Sequence, residues 1–397
     1  MNILYFSPGN TIGGAELSLL GILKEANKHG HNCYIALPPI KRNDSTYVEM
    51  LKPYCKAIYI VHPMSWHITS GMNWRERLVS YLYRIYLSGW HVVPVFKLLR
   101  IISKLNIDIM HTNTSIIIDP AIAAKLANIP HVWNIREGIG YSPDAIVQFP
   151  FQKFPRLFRW VMDKLSSKFI TNSKFTASLG KQYFPKDKLE VIYNSLSDEW
   201  FVKKKPNQDT KLEFIIGTVA NVTAIMKNHL LVIEVANIIR DKFSNLNITF
   251  HIYGNLPEDD NPYFLELKDR IKSLQLTDSV IFKGRMEAEE IYNIIDILFH
   301  PFGNEGFGRI FIEAMGKGVP VIAVKGGGAD ELIEDGVTGY KVDKDRFEDC
   351  AEKIVELINN PDIYNQIALN GFEYASSKFK SSIMWDKIES CYNSVVR

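Results

Sequence analysis

The stretch Phe302–Ala323, FGNEGFGRIFIEAMGKGVPVIA, reads as a turn, a helix and a strand in direct succession. Gly303, Gly306 and Gly308 crowd the turn, GRIFIEAMGKG has the character of a helix, and VPVIAV is a continuous apolar run bounded by glycines. Glycine allows a sharp turn and a close approach of backbone to a ligand. A short apolar run of this kind suits a strand covered on both faces, as in a parallel sheet flanked by helices. Within the same stretch Glu305 and Glu313 lie eight residues apart. Eight residues of helix span about 12 Å at 1.5 Å each, which suits a long ligand better than one reacting atom.

The alternation extends in both directions from there. In the first half the short runs NILYFSP, HNCYIALPP, AIYIVHP, DIMHTN, HVWNIRE, KFITNS and LEVIYNS are separated by helical patterns, for instance Leu17–Lys28, where Leu19, Leu20, Leu23 and Ala26 recur at helical spacing. In the second half EFIIGTVAN, ITFHIYGN, SVIFKGR, DILFHPF, PVIAVKG and GYKV repeat the scheme. Strands alternating with helices predict parallel sheets. Ser195–Lys211, polar, charged and interrupted by Pro206, reads as a linker. The expected organisation is α/β: two doubly wound, Rossmann-like domains over residues 1–197 and 206–380, with a final helix over 381–397 that returns to the first. Ligands of open α/β sheets bind outside the carboxyl ends of the strands, so an interdomain cleft lined by those loops is the expected site.

Composition excludes several classes. The 397 residues, 46% hydrophobic and without an internal repeat or low-complexity tract, are those of a folded two-domain protein. Cys33, Cys55, Cys350 and Cys391 show neither the C-x-x-C pairs of a zinc site nor the density of a disulfide scaffold. The opening NILYFS runs into a strand without the charged start and apolar block of a signal peptide, and no apolar run reaches 18 residues, so a cytoplasmic protein is expected. Charge is divided unevenly: residues 1–200 carry 23 basic and 14 acidic side chains, the remainder 23 and 30, giving +9 and −7.

After the first strand, SPGNTIGGAE places Gly13 and Gly14 before a helix. A helix start preceded by glycines can take a phosphate, and it can equally be a tight turn. A dinucleotide fingerprint is absent, since G-x-G-x-x-G does not occur here and Leu37, Pro38 and Pro39 stand where the ribose-binding acid would be. In the second half, a helix starting near Gly308 would aim its amides at the cleft. A nucleotide sugar suits that arrangement: one carboxylate accepts from sugar hydroxyls, the other from ribose hydroxyls, and the amides take the diphosphate. Lys227, after FIIGTVAN, is the expected neutralising cation.

FGNEGFGRIFIEAMGKGVPVIAVKGGGADELIEDGVTGY resembles the signature of the family-4 retaining glycosyltransferases of GT-B fold, with its E-x7-E spacing, G-x-P-V-I-A and D-G-x-x-G. GGAE, VIYNS, MKNH and FKGRMEAEEIYNIID extend the resemblance over almost the whole chain. The resemblance implies that Glu305 holds the donor sugar hydroxyls and Glu313 the ribose, that Gly14 and Lys227 contact the diphosphate, and that Met286 lies against the base. Gly306, Phe307, Gly308 and Arg309 complete the implied donor site. It also implies no metal and no cofactor, the acidic PEDDNP being a solvated loop. Two positions depart from the family pattern. Asn221 stands where many members have an arginine, leaving more of the diphosphate's charge to Lys227 and Arg309. Arg136, in HVWNIREG, stands where many keep a histidine near the transferred sugar. Arginine cannot act as a base; it is a fixed charge beside the leaving phosphate or an acidic acceptor, or a salt-bridge partner of Glu137 or of another acid. His111 reads as a buried structural histidine.

With no general base evident, a retaining reaction is expected, in which the leaving phosphate takes the acceptor's proton and catalysis rests on charge and positioning, with Glu305, Lys227 and Arg136 as its residues. UDP is the expected nucleotide and a glycan or lipid-linked hydroxyl of cell-envelope polysaccharide the expected acceptor. Basic and aromatic residues interleave over 73–104 and 149–160, which suits either an anionic membrane surface at the inner face of the plasma membrane or core helices with basic outer faces. No nucleic-acid recognition module is present. The competing functional readings are a catalytically weak sugar-nucleotide-binding protein and a UDP-sugar epimerase of related fold.

Overall fold

The computed structural model describes residues 1–9, 12–39, 46–69, 75, 92–139, 147–149, 152–203, 213–222 and 225–396. The chain divides into two units, Met1–Ser195 with Ser381–Arg397, and Leu196–Lys380.

The first unit contains β1 (Asn2–Phe6), β2 (Asn32–Leu37), β3 (Ala57–Ile60), β4 (Ile68–Thr69), β5 (Ile109–Thr112), β6 (His131–Ile135), β7 (Val147–Gln148), β8 (Lys168–Thr171) and β9 (Leu189–Val191). Seven of these pair in parallel in the order β3-β2-β1-β5-β6-β8-β9, and β4 pairs with β7 antiparallel. Because side chains alternate along a strand, Ile3 and Tyr5 enter the core under the Gly14–Lys28 helix, whereas Leu4 and Phe6 enter that under Val92–Leu105. Both faces are therefore covered, which is why β5 and β6 are buried at every residue.

The final helix, Ser381–Asn393, belongs to this unit. Its Met384, Trp385, Ile388, Cys391 and Tyr392 recur at helical spacing and join the core that holds Leu19 and Leu23. Full burial of such a side chain stabilises by roughly 1.5–3 kcal/mol. Tyr392 also meets the buried His111 at 2.5 Å, and burial lowers the His111 pKa to about 3, so that histidine is a structural one. All four cysteines are free, and burial pushes each thiol up to about 12, as expected of unreactive thiols.

The second unit contains β10 (Phe214–Val219), β11 (Ile248–Tyr253), β12 (Val280–Gly284), β13 (Ile297–His300), β14 (Val321–Val324) and β15 (Tyr340–Val342), all parallel in the order β12-β11-β10-β13-β14-β15. Ile216, Phe250, Ile252, Phe299 and Ile322 meet Val232, Ala236, Leu267, Ile354 and Leu357 of the covering helices in its core. In both units the chain starts mid-sheet, builds outward to one edge and then crosses to the other side. The order thus reverses between β1 and β5 and between β10 and β13, and loops leaving those strands part to opposite faces of the sheet.

The segment expected to be a linker is partly built into the second unit. Leu196 N–H donates to Phe379 O at 2.9 Å, and Trp200 Nε1–H donates to Glu313 O at 3.0 Å. Trp200 and Phe201 press so closely on Gly316 that a Cβ there would stand 2.8 and 3.1 Å from their rings. Two large aromatics in an otherwise polar run were the signal of this docking; residues 204–212 lie outside the described ones.

Candidate functional site

The reversal of strand order in the second unit brings Lys227, after β10, to Glu305, after β13. Their Nζ and Oε2 atoms are 2.8 Å apart, with side chains 25% and 30% exposed. Lys227 also lies over the Phe302 ring, 4.6 Å from its centre. Asn228 holds the lysine's end of the pair. It caps the His229–Lys242 helix in the left-handed region, at φ 52°, and its Nδ2 donates to Pro301 O at 3.2 Å. The glycines around Glu305 answer to a close backbone approach. A Cβ on Gly303 would stand 2.2 Å from Lys325 O, and one on Gly328 2.0 Å from Phe307 O. Gly328 N–H donates to Glu305 O at 2.7 Å. The run Lys325–Gly328, which the sequence reading left without a role, is therefore the platform for the Glu305 loop.

Gly308, at φ 82°, ends that loop in a conformation that favours glycine and starts the helix Arg309–Gly316. Glu313 lies on this helix but is not a free carboxylate. It is 8% exposed; Oε1 accepts from Arg309 Nε at 2.8 Å and Oε2 from the Tyr292 hydroxyl at 3.1 Å. Spacing i, i+4 puts Arg309 and Glu313 on one helix face, and a buried carboxylate requires such donors. Burial, reinforced by Glu313, drives the Tyr292 pKa well above its ordinary value, so the phenol keeps its proton and donates it. An ionised carboxylate has about four acceptor positions, and these two bonds leave room for others.

His300, the last residue of β13, also belongs to this cluster and was missed in the sequence, where the only signal is a polar residue closing the apolar run ILF before the turn. It is 1% exposed, edge-on to Phe311 and Phe302 with ring centres 5.1 and 6.1 Å away. Its Nε2 is 4.0 Å from Glu305 Oε2, and neither ring nitrogen meets hydrogen-bond geometry with a described group, although the Phe302 backbone also pulls its pKa up. Leaving such a group unpaired typically costs about 1–3 kcal/mol. Burial lowers its pKa to about 4 against an upward pull from Glu305, so the ring is neutral at pH 7.

The remaining expected donor residues are placed as follows. Asn221 is exposed after β10, its Oδ1 accepting from Asn255 N–H at 3.0 Å, so it serves the loop structure as well as offering its amide. Met286 is half-buried after β12, and Gly306 is half-buried beside Glu305. Phe307 is 3% exposed and packs edge-on to Phe379, a structural role for its side chain.

In the first unit Gly14 opens the Gly14–Lys28 helix, and its Cβ direction faces open space. A Cβ on Gly9 or Gly13 would stand 2.7 or 2.8 Å from the Glu16 carboxylate, the movable end of that side chain. Burial raises the Glu16 pKa, its own backbone amide and Arg136 pulling it down. Arg136 follows β6; its backbone N–H donates to Glu137 Oε2 at 3.3 Å, while its guanidinium turns elsewhere. Its Nε and Nη2 donate to Asn113 Oδ1 at 2.9 and 2.7 Å, Nη1 to Asn194 Oδ1 at 2.7 Å and Nη2 to Ser18 Oγ at 3.0 Å. Glu137 instead accepts from the Thr114 and Ser115 hydroxyls at 2.7 and 2.5 Å. A surface cavity of about 590 Å³ in this unit, lined by Asp108, Lys125, Asp163 and Lys188, lies at the amino ends of the strands, away from where sheets of this kind bind ligands.

The basic, aromatic segments resolve into two kinds of residue. Phe149 and Phe158 are 1% and 2% exposed and belong to the core around Trp133. Phe154 and Trp160, by contrast, are 65% and 59% exposed, and Lys153, Arg156, Leu157 and Arg159 are exposed beside them. The helix Val92–Leu105 likewise exposes Val92, Val93 and Phe96 together with Lys97, Arg100 and Lys104. Residues 73–74, 76–91 and 150–151 of these segments lie outside the described residues. Among the described residues no helix is long and apolar enough to cross a membrane.

Two family models match the chain, Glycosyltransferase Family 4 over residues 12–200 and Glycosyl transferases group 1 over 198–374. Among relatives, the Staphylococcus aureus capsular polysaccharide biosynthesis glycosyltransferase CapM is 28% identical over 57% of this chain and 56% of its own length. The Bacillus anthracis N-acetyl-alpha-D-glucosaminyl L-malate synthase is 22% identical over 93% of this chain and 97% of its own. Among solved structures, Anabaena HepE in complex with UDP shares the fold, with a TM-score of 0.79 and 23% identity over 99% of this chain and 100% of that one.

Proposed function

Since the chain belongs to the glycosyltransferases of GT-B fold that these two models describe together, we propose that it is a retaining, metal-independent hexosyltransferase that takes its sugar from a UDP-sugar. The acceptor is a hydroxyl of a glycan or lipid-linked intermediate in cell-envelope polysaccharide synthesis, as the name of CapM suggests. A solved relative carrying UDP supports the choice of nucleotide.

One observation carries the reading: Lys227 and Glu305 meet at 2.8 Å where the strand order reverses, immediately before a helix whose first turns carry Arg309 and Glu313. In the proposed chemistry Lys227 and Arg309 neutralise the diphosphate, Glu305 accepts from the sugar hydroxyls, and Glu313 adds a ribose hydroxyl to the two donors it already has. Gly308 N–H and the amides after it face the developing charge on the leaving phosphate. The bond from the anomeric carbon to the phosphate oxygen breaks as the acceptor oxygen attacks from the same face. The departing phosphate oxygen takes the acceptor's proton, so no side-chain base is required. Gly14 offers backbone to the diphosphate, and Arg136 presents a fixed positive charge to the leaving phosphate or to an acidic acceptor. Phe154, Leu157 and Trp160 with their neighbouring basic residues rest on the anionic inner face of the membrane, where lipid-linked acceptors lie.

The test is turnover against UDP, GDP and ADP sugars with proton NMR of the product's anomeric centre, with and without EDTA. A UDP-sugar consumed with retention in EDTA is expected. Inversion, loss of activity in EDTA, or epimerised sugar without transfer would each remove the corresponding part of the proposal.

A further inference from the structure

Among the described residues, His300 is the titratable side chain of the Lys227–Glu305 cluster that the proposed chemistry leaves unused. At 1% exposure neither of its nitrogens meets hydrogen-bond geometry with a described group, although the Phe302 backbone is near enough to pull its pKa upward, and its Nε2 lies 4.0 Å from the same carboxylate oxygen that Lys227 holds at 2.8 Å. The aromatic rings of Phe302 and Phe311 stand against it, and the Phe302 ring also lies beneath the Lys227 ammonium. The imidazole is therefore confined by the same ring that the lysine contacts, with one carboxylate in reach.

We propose that His300 is a positioning residue for Glu305, its Nε2–H bonding Oε2 when a bound diphosphate draws the Lys227 ammonium away. The inference rests on the reading above that the second unit takes a nucleoside-diphosphate sugar. A diphosphate outcompetes a single carboxylate for the lysine, and Glu305 then loses the partner that orients it. Rotation about the outer torsions of Glu305 shortens the 4.0 Å separation to ordinary hydrogen-bond length. A neutral donor suits the task. It fixes the carboxylate while adding no charge, and it occupies only one acceptor position, leaving the others for sugar hydroxyls.

Calorimetric titration of UDP-glucose, with unfolding temperatures measured without nucleotide, tests the exchange in wild type, His300→Phe, His300→Gln, Lys227→Met and Lys227→Met/His300→Phe. His300→Phe should weaken UDP-glucose binding about tenfold, as loss of a hydrogen bond to a charged group does. It should not lower the unfolding temperature of the nucleotide-free protein, since the ring it replaces has no strong polar partner there. His300→Gln, which keeps an N–H donor, should recover most of the affinity. In the Lys227→Met background Glu305 already relies on His300, so there His300→Phe should lower the unfolding temperature. Equal UDP-glucose affinity in wild type and His300→Phe overturns the inference while leaving the functional reading intact. So does an equal thermal penalty of His300→Phe in both backgrounds, which marks a purely structural ring. A wild type that binds none of the UDP, GDP and ADP sugars overturns the functional reading, and this inference with it.

Discussion

The two units share one strand order but furnish the carboxyl ends of their sheets differently. In the second, the cations Lys227 and Arg309 face carboxylates, Glu305 and Glu313, at 2.8 Å each. In the first, among the described residues, the Arg136 guanidinium donates to the neutral oxygens of Asn113, Asn194 and Ser18, with the Glu16 carboxylate in electrostatic reach. A charge paired with a carboxylate can be taken over by a ligand of the same sign as that carboxylate. A charge held by amide and hydroxyl oxygens is oriented and stays in place. The difference teaches that the second unit holds Lys227 by a partner that an anionic ligand could replace, whereas the described bonds of Arg136 fix the plane of its guanidinium.

The comparison can be broken or sharpened by experiment. Glu305→Ala removes the carboxylate that Lys227 faces, and turnover of the preferred nucleotide sugar should fall about 1,000-fold, the upper end of what loss of one preorganised polar group costs. A fall of less than tenfold would dissociate the pair from chemistry. Glu313→Ala strips Arg309 and Tyr292 of a buried partner. It should destabilise by about 3 kcal/mol in urea unfolding, the low end for breaking a buried pair, since Arg309 is partly exposed.

Arg136→Gln leaves the oxygens of Asn113, Asn194 and Ser18 without their donor and should cost about 2 kcal/mol by the same measurement. Arg136→Lys should not recover it, because an ammonium cannot reproduce the planar fork. If Arg136→Gln were silent in stability, the guanidinium would not be held as the first unit's bonds imply. Replacing Phe154 and Trp160 by alanine together should weaken flotation with anionic vesicles about tenfold without changing unfolding, since both are already in solvent. Unchanged flotation would make the exposed aromatic face irrelevant to membranes.

Acid should act on both units in the same direction. Burial lowers the pKa of His111 and His131 in the first unit to about 3, and of His229 and His300 in the second to about 4. The unfolded value is about 6.5. Between those limits the unfolded chain binds more protons, so stability is full above about pH 6.5 and declines as pH falls. The loss from pH 7 to 5.5 is about 1 kcal/mol per histidine. Of these four histidines, only His111 and His131 continue to cost stability below about pH 4. Unfolding followed in each unit by hydrogen exchange checks this; a stability that rises on acidification would contradict it.

Much of the second unit's site was legible in the sequence because the glycines and acids of the loop after β13 are local. Glycine at 303, 306 and 308 signals a turn, and the run that follows it carries helix and strand periodicity. The partners of that loop were not legible. Asn228, Tyr292, His300 and the Lys325–Gly328 platform each act through a residue brought alongside by strand order or loop packing rather than by sequence spacing. Phe149 and Phe158 could not be told from Phe154 and Trp160 for the same reason: identical residue types in one basic segment face core or solvent according to what packs beside them.

By itself the sequence determined the two parallel α/β sheets, the returning last helix and the positions of Glu305, Glu313 and Lys227, because hydrophobic period and glycine placement are properties of neighbouring residues. Only the tertiary structure decided that Lys227 meets Glu305 directly, that Glu313 is buried beside Tyr292, and that His300 lies 4.0 Å from Glu305. Those outcomes depend on strand order and loop packing at the carboxyl ends of the second sheet, whereas the Arg309–Glu313 pair follows from i, i+4 spacing.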